Sequence, residues 1–139
     1  ITGRIVQTVK STNGSYAATS GSSYAPTGHT ATITPTSTSS KILVMCSAFF
    51  WQTNQNNGNA FLTIYRNSTD LSTGGPLVMQ SATTSGASSA MYGSMSYQLL
   101  DSPASTSALT YQPYIKTDSG GNAAYNGSGT GTLILMEIL

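Results

Sequence analysis

The stretch "KILVMCSAFFW", residues 41–51, decides the fold of this chain because it does not alternate apolar with polar residues. Successive side chains of a β-strand point to opposite faces of the sheet, so a strand with one wet face alternates. This stretch has two apolar faces, Leu43, Met45, Phe49 and Trp51 on one and Ile42, Val44, Cys46, Ala48 and Phe50 on the other. Both faces are therefore expected to be buried.

The C-terminal run "GTLILMEIL", residues 131–139, repeats the two-faced pattern. Its faces are Leu133, Leu135, Glu137 and Leu139 on one side and Ile134, Met136 and Ile138 on the other. Continuously apolar strands are usual in parallel sheets covered by crossover helices, and no helical pattern is visible here. The second face is therefore expected to be buried by a partner, most simply another copy of the chain. A closed barrel that buries both faces is the alternative, and the pattern leaves open which face is core.

Glu137 interrupts one of these apolar faces. A buried carboxylate must be paired or hydrogen-bonded, because its desolvation is costly. Arg66 and Arg4 are the expected partners. The alternative is that the chain end frays and leaves Glu137 in water.

Length and charge narrow the class of protein. The 139 residues suit one domain spanning 1–139. Only 6% of the residues are charged, against roughly a quarter in typical soluble proteins. The net charge is +1 and the five basic residues are scattered, so no nucleic-acid partner is expected.

The apolar run at 42–51 is too short to cross a bilayer as a helix, which needs about 20 residues, so no membrane insertion is expected. The opening "ITGRIVQTVK" lacks the layout of a signal peptide. It reads as a strand entered from upstream, and we expect this domain to be the C-terminal part of a longer chain.

The residue types predict an all-β domain. Short β-type runs are separated by turn clusters such as Asn13-Gly14, Asn57-Gly58 and Asn126-Gly127, which is typical of a sandwich or barrel. The predicted strands are 3–10, 15–18, 23–25, 29–34, 41–53, 60–66, 76–82, 90–100, 108–117 and 131–139.

Candidate catalytic chemistry is sparse. His29 is the only histidine, and a nucleophilic triad would have to combine it with one of three aspartates although no G-x-S-x-G turn exists. His29 is therefore expected to be exposed or bonded in its turn. Cys46, the only cysteine, is expected to be buried and unreactive. One Cys and one His cannot form a structural zinc site, so neither enzymatic activity nor a cofactor is predicted.

Aromatic side chains offer the remaining candidate site. Most of them, including Tyr97, fall in the middle of predicted strands, where packing in a core or interface is the default. Trp51 and Tyr125 lie near strand ends and are the candidates for an exposed platform on which a sugar could stack.

Several stretches, in order, resemble a domain that recurs in structural proteins of tailed bacteriophages, notably tail fibres and other virion appendages. They are "GRIVQTVK", "TATITPTSTSSKILVM", "DSPASTSALTYQPYIKT", Asn126 and "GTLILMEI". The strand order and the Gly28–Pro35 spacing are also similar to the trimeric jelly roll of the tumour-necrosis-factor and complement globular-head type.

The resemblance implies a homotrimer in which an inner sheet, including the C-terminal strand, packs around a threefold axis. It carries no catalytic residues. The prediction is an antiparallel jelly-roll sandwich of about 8–10 strands, trimeric and located in a virion, where it would contact other virion proteins and a host surface glycan or protein. The interface or core residues would be Leu43, Met45, Phe49, Trp51, Tyr97, Leu133, Leu135, Glu137 and Leu139. The alternative is a secreted bacterial carbohydrate-binding or surface-filament domain.

Overall fold

The computed structural model describes residues 3–54, 58–72, 75–80, 89–118 and 121–139. Most of these residues are in β-strands, and none of them is in an α-helix. The strands are β1 (Ile5–Asn13), β2 (Ala17–Thr19), β3 (Ala25–Pro26), β4 (Ala31–Ile33), β5 (Lys41–Asn54), β6 (Asn59–Arg66), β7 (Thr69–Asp70), β8 (Leu77–Gln80), β9 (Ser89–Asp101), β10 (Leu109–Thr117), β11 (Asn122–Tyr125) and β12 (Gly131–Ile138).

The strands form two antiparallel sheets. In the first, the β5 sheet, the long strand β5 pairs with β9 on one side and with β12 and β11 on the other. β1 and β2 extend that sheet beyond β12 and β11. In the second, the β10 sheet, β10 lies between β6 and the short strands β3 and β4, and β7 and β8 pair with the far side of β6.

Some short strands follow each other along the chain and lie end to end in the same sheet. Such a pair counts as one strand position. Joining β1 with β2, β3 with β4, β7 with β8 and β11 with β12 leaves eight positions in the described ranges. Numbered along the chain, their order is 1-8-3-6 in the β5 sheet and 2-7-4-5 in the β10 sheet. Two four-stranded sheets in this order define a jelly roll. The predicted all-β antiparallel jelly-roll sandwich is therefore confirmed.

The hydrophobic core lies between the two sheets. Its largest members from the β5 sheet and from the β10 sheet are at most 2% exposed. They include Ile42, Phe50, Tyr125, Leu133 and Leu135 from the first sheet and Ile33, Leu62, Ile64, Tyr111 and Ile115 from the second. At about 25 cal/mol per Å² of apolar surface removed from water, this layer is the main source of stability.

The turn between β11 and β12 fixes how the last strand enters the sheet. Asn126 adopts a left-handed φ of 56°, as the Asn-Gly pair predicts. Its backbone N–H donates to the carbonyl of Phe49 (2.8 Å) and its side chain donates to the carbonyl of Asn13 (2.6 Å). A Cβ on Gly131 would lie 2.7 Å from Oδ1 of Asn126 and 2.8 Å from the hydroxyl of Tyr125, so only glycine fits there.

Two of the observed strands are absent from the sequence prediction. β7 is only two residues long, and β11 has the sequence "NAAY", which is poor in β-branched residues. β11 forms because β5 and β2 pair with it on both sides, so tertiary pairing overrides a weak local preference. Residues 81 and 82 of the predicted strand 76–82, and Asn57 of the predicted turn, lie outside the described residues.

Candidate assembly surface

The burial of its side chains shows which of the two apolar faces of β5 belongs to the core. Ile42, Val44 and Phe50 are fully buried on the inner face. Leu43 and Met45, on the opposite face, are only half-buried. Because Met45 is paired with Ile134 and Leu43 with Met136, these side chains form one continuous layer on the outside of the β5 sheet.

The C-terminal strand divides in the same way. Leu133, Leu135 and Glu137 point inward and are 0% exposed. Leu139, which was predicted to share their face, lies beyond the end of β12 and is 50% exposed. The strand ends at Ile138, and Leu139 exchanges two backbone hydrogen bonds with Arg4 (2.9 and 3.0 Å). Its assignment to an interface or core face stays a prediction.

Strongly exposed apolar side chains concentrate on or beside this outer layer. Of the seven exposed large hydrophobic residues in the described ranges, Tyr92 (63%) and Leu100 (40%) belong to it, and Ile5 (56%) and Tyr16 (55%) border it. We call the whole layer the outer apolar surface. It consists of Leu43, Met45, Phe49, Trp51, Tyr92, Leu100, Ile134, Met136 and Ile138.

An aromatic cluster forms one end of the outer apolar surface. The ring of Trp51 lies 6.0 Å from the rings of both Tyr16 and Tyr92, and Phe49 lies 6.5 Å from Tyr92. A Cβ on Gly127 would sit 3.3 Å from the ring of Trp51, so the turn after β11 covers part of that ring. Trp51 is therefore a half-buried member of a packed cluster.

The middle of the outer apolar surface contains a shallow depression of about 210 Å³. Met45 and Ile134 supply apolar walls, while Ser47, Ser96 and Thr132 supply hydroxyl groups. Strands from three different parts of the chain meet here. A large side chain from a neighbouring molecule would find apolar contacts and a few hydrogen-bond partners in this depression.

Tyr125 is not an exposed platform, contrary to the prediction. It is 0% exposed because β11 is an inner position of the sheet, and its hydroxyl lies 2.6 Å from Nδ1 of His29 and 3.6 Å from the sulfur of Cys46. His29, expected to be exposed or bonded in its turn, is 1% exposed, and its Nε2 lies 3.3 Å from the carbonyl of Ser11. Ser11, His29, Tyr125 and Cys46 therefore form a buried hydrogen-bonded chain.

The directions of these bonds follow from the groups themselves. The Ser11 carbonyl can only accept, so Nε2 of His29 carries the proton and Nδ1 accepts from the Tyr125 hydroxyl. Burial lowers the pKa of His29, partly opposed by the bond to Ser11. Burial raises the pKa of the Cys46 thiol to about 11. Both groups are buried, and the Cys46 thiol stays protonated at neutral pH, so neither is accessible to a substrate in this structure.

Glu137 is buried without a basic partner, so the expected pairing with Arg66 or Arg4 was wrong. Its Oε1 accepts from the backbone N–H of Thr36 (2.7 Å), the Thr36 hydroxyl (2.7 Å) and the Ser40 hydroxyl (2.6 Å). Its Oε2 accepts from the Gln7 amide (2.7 Å). Burial alone would raise its pKa, but these hydrogen bonds outweigh burial and lower the pKa to about 2.

Arg66 instead reaches across the sandwich to Asp101, at the end of β9. Its Nη1 lies 2.8 and 2.7 Å from the two carboxylate oxygens, and the Tyr111 hydroxyl donates to Asp101 at 2.7 Å. This cluster ties the two sheets together at one end.

Tyr97, a predicted interface or core residue, packs against the core at the β9 edge and donates its hydroxyl to the carbonyl of Gly75 (3.1 Å).

In the described ranges, no group of three or more His, Cys, Asp or Glu side chains is close enough to hold a metal ion. No helix in the same ranges is long and apolar enough to span a membrane. The outer apolar surface is therefore the feature of the described structure that most needs a functional explanation.

Comparison with known proteins gives no family. No protein-family model and no curated protein matches this sequence. The solved structures to which it is similar include the Gx strain of infectious bursal disease virus (TM-score 0.46, 12% identity) and a VP2 subviral particle of that virus (TM-score 0.48, 12% identity). A T=1 particle of a mutant VP2 from the same virus has a TM-score of 0.45 and 14% identity.

These alignments cover 94–96% of this chain but only 36–40% of the viral chains. The chain thus spans less than half the length of the proteins it is similar to. With TM-scores below 0.5, the likenesses carry no inference about function. The jelly-roll assignment rests on the strand order described above.

Proposed function

We propose that this chain is a non-enzymatic structural domain of a virion, of the phage fibre or appendage type, that assembles as a homotrimer. The observation that carries the proposal is the outer apolar surface. A monomeric sandwich covers the outside of its sheets with polar residues, whereas this sheet presents Leu, Met, Ile and aromatic side chains there.

The energetics favour a partner on this surface. Fully burying a Leu, Ile, Met or Phe side chain contributes about 1.5–3 kcal/mol. Leu43, Met45, Ile134, Met136 and Ile138 are each only half-buried within the chain, so part of that contribution is still to be gained. Another copy is the simplest partner because the chain has little charge to oppose self-association.

The choice of a trimer in a virion rests on the sequence resemblance to tailed-phage structural proteins and to trimeric jelly rolls. That resemblance implies an inner sheet that includes the C-terminal strand. The outer apolar surface lies on the sheet that contains β12, which supports the same arrangement. Other virion proteins, and a glycan or protein of the host surface, are the further partners that this role implies.

The mass of the native protein tests this proposal. Light scattering should give three chains for the unaltered protein, whereas Met45→Asp should give a folded monomer. Val78→Asp is the matched control, because Val78 is an exposed apolar residue (47%) on the outside of the other sheet. A monomeric mass for the unaltered chain at high concentration, or equal masses for both variants, would contradict the proposal.

The alternative function is that of a secreted carbohydrate-binding domain, for which Trp51 and Tyr125 were the predicted sugar-stacking residues. Only one of these two residues is accessible. Tyr125 is fully buried, and the ring of Trp51 is partly covered by its neighbours. A glycan-binding role would therefore have to use Trp51 with its exposed neighbours Tyr16 and Tyr92, or the loops, without Tyr125.

A further inference from the structure

The free edge of β9 carries a second interaction surface. β9 is a 13-residue strand that pairs with β5 along its whole length. In the part of the chain that the structure describes, no other strand pairs with β9. Within those described ranges, one row of its backbone N–H and C=O groups has no strand partner.

The other sheet edges carry the features by which natural proteins discourage such pairing. The β1 edge includes Lys10. The edge formed by β3 and β4 consists of strands of two and three residues and contains Pro26. The edge formed by β7 and β8 has strands of two and four residues and contains Asp70.

The β9 edge has none of these features before its last residue. Its sequence "SAMYGSMSYQLLD" contains no proline and no charged residue until Asp101. A long, uncharged edge strand is a site at which another strand is expected to add.

A slot of about 320 Å³ runs along the end of this edge. Consecutive β9 residues from Tyr97 to Asp101 line one side, and Leu71 and Gly75 line the other. Consecutive residues of a strand belong to opposite faces, so the slot follows the backbone edge rather than one face of the sheet. The hydrogen bond from the Tyr97 hydroxyl to the Gly75 carbonyl links the two walls.

The chemistry of the slot selects an uncharged occupant. Leu71, Leu99 and Leu100 contribute apolar surface to the slot, and Tyr97, Gln98 and Asp101 contribute polar groups. The carboxylate of Asp101 is already engaged by Arg66 at 2.7 Å and by the Tyr111 hydroxyl at 2.7 Å, so it has little affinity left for a cation. An edge backbone between leucine side chains and uncharged polar groups matches an extended, uncharged peptide.

We propose that the β9 edge binds an extended, uncharged peptide strand of another protein chain, which pairs with residues 97–101 and fills the slot. Backbone hydrogen bonds would supply the affinity, and the leucine walls would select apolar side chains at alternate positions. This binding does not require a trimer, and of the residues of the outer apolar surface it uses only Leu100.

The test uses a fluorescein-labelled, end-capped peptide Thr-Val-Thr-Val-Thr-Val-Thr and the full chain, with fluorescence anisotropy as the readout. Two control peptides carry N-methyl groups on alternate residues, one on the odd and one on the even positions. These groups remove backbone donors and leave the side chains unchanged. We expect the unmodified peptide to bind and at least one methylated peptide to bind at least about tenfold more weakly.

Matched protein variants locate the site. Gln98→Lys places a cation on the β9 edge, and Thr8→Lys places one at an equally exposed position on the β1 edge of the same sheet. Gln98→Lys should weaken peptide binding about tenfold while Thr8→Lys leaves it unchanged. No binding at about millimolar peptide, equal binding of all three peptides, or equal effects of the two lysines would each overturn the proposal.

Discussion

The two faces of the β5 sheet differ in how completely their side chains are buried and hydrogen-bonded by residues of the same chain. On the inner face, Leu133 and Leu135 are fully buried, and even the carboxylate of Glu137 has four hydrogen bonds from protein groups. On the outer face, Ile134 and Met136 alternate with those residues along the same strand and are only half-buried. The inner face is complete within one chain, whereas the outer face is complete only if a partner covers it.

The outside of the β10 sheet also carries aromatic rings, but these rings are covered within the chain and do not need a second molecule to bury them. The rings of Tyr65 and Tyr114 stack on each other at 3.9 Å, and Tyr24 meets Tyr65 edge-on at 6.1 Å. The ammonium of Lys116 lies 4.6 Å from the ring of Tyr24 and 5.0 Å from that of Phe61. These rings are covered by one another and by the Lys116 cation, whereas the aliphatic part of the outer apolar surface, Leu43, Met45, Ile134, Met136 and Ile138, has no such cover in the described ranges.

The largest difference in stability is expected between aspartate substitutions at two neighbouring residues of β12, one on each face. Leu135→Asp places an unpaired charge in the core and should destabilise the fold by more than about 4 kcal/mol. Met136→Asp should leave the fold intact and abolish self-association. Urea unfolding and native mass, measured on both variants, check the expectation. Equal loss of stability in the two would mean that the faces do not differ.

Glu137→Gln should have the next largest effect, because an amide presents a donor to groups that are themselves donors. We expect a loss of about 2–3 kcal/mol in the free energy of unfolding. Asp118→Asn, at an exposed carboxylate that accepts from Asn59, is the control and should cost much less.

The pH dependence of the same residue gives an independent check. The pKa of Glu137 is lowered from 4.5 to about 2. As the pH falls, this carboxylate is therefore protonated at a higher pH in the unfolded chain than in the folded protein. Its contribution to stability is therefore present above pH 4.5 and is lost as the pH falls toward 2. Glu137→Gln should remove that part of the acid sensitivity, and an unchanged acid profile would contradict the hydrogen-bonding account.

His29 should produce a smaller effect in a separate pH range. Its pKa is lowered in the folded protein, so below about pH 6.5 the unfolded chain takes up the proton more readily and stability falls. The slope is at most about 1.4 kcal/mol per pH unit. His29 is the only histidine, so His29→Gln should flatten the stability profile between about pH 6.5 and 5. A slope that survives in the variant would show that another group causes it.

Thiol labelling compares the two faces directly. Cys46 is 3% exposed and its pKa is raised to about 11, so it should not react with a thiol reagent in the native protein. A Cys46→Ser, Ser47→Cys double variant moves the thiol by one residue to the exposed outer side. That thiol should react in the monomer and be protected on assembly. Rapid labelling of Cys46 itself would show that the inner face is open.

The smallest effect should be that of salt on assembly. Only two charged residues, Lys10 and Lys41, are paired with members of the outer apolar surface, so screening at 1 M salt, where the Debye length is about 3 Å, should change the native mass little. Dissociation of the assembly by sodium chloride at constant pH would show an electrostatic interface and would contradict the apolar one proposed here.

Local sequence predicted the strands well because alternation and turn residues act over a few positions. The two-faced character of residues 41–51 and 131–139 was visible in the same way. Tyr125 was misplaced because its exposure depends on β5 and β2, which flank β11 but are distant in sequence. Glu137 was given the wrong partners because its donors come from β1 and from residues 36–40, and they are hydroxyl and amide groups that any Ser/Thr-rich chain offers in excess.

The sequence by itself determined that the chain is all-β, that two of its strands are apolar on both faces, and that charge contributes little to its surface. Those properties follow from composition and from a period of two residues, which are local. Only the tertiary structure decided which face is the core, which polar groups satisfy Glu137 and His29, and that β9 lies at a sheet edge in the described ranges. Each of these depends on strand order and register, which bring together residues far apart in the sequence, such as Gln7 and Glu137, which are 130 positions apart.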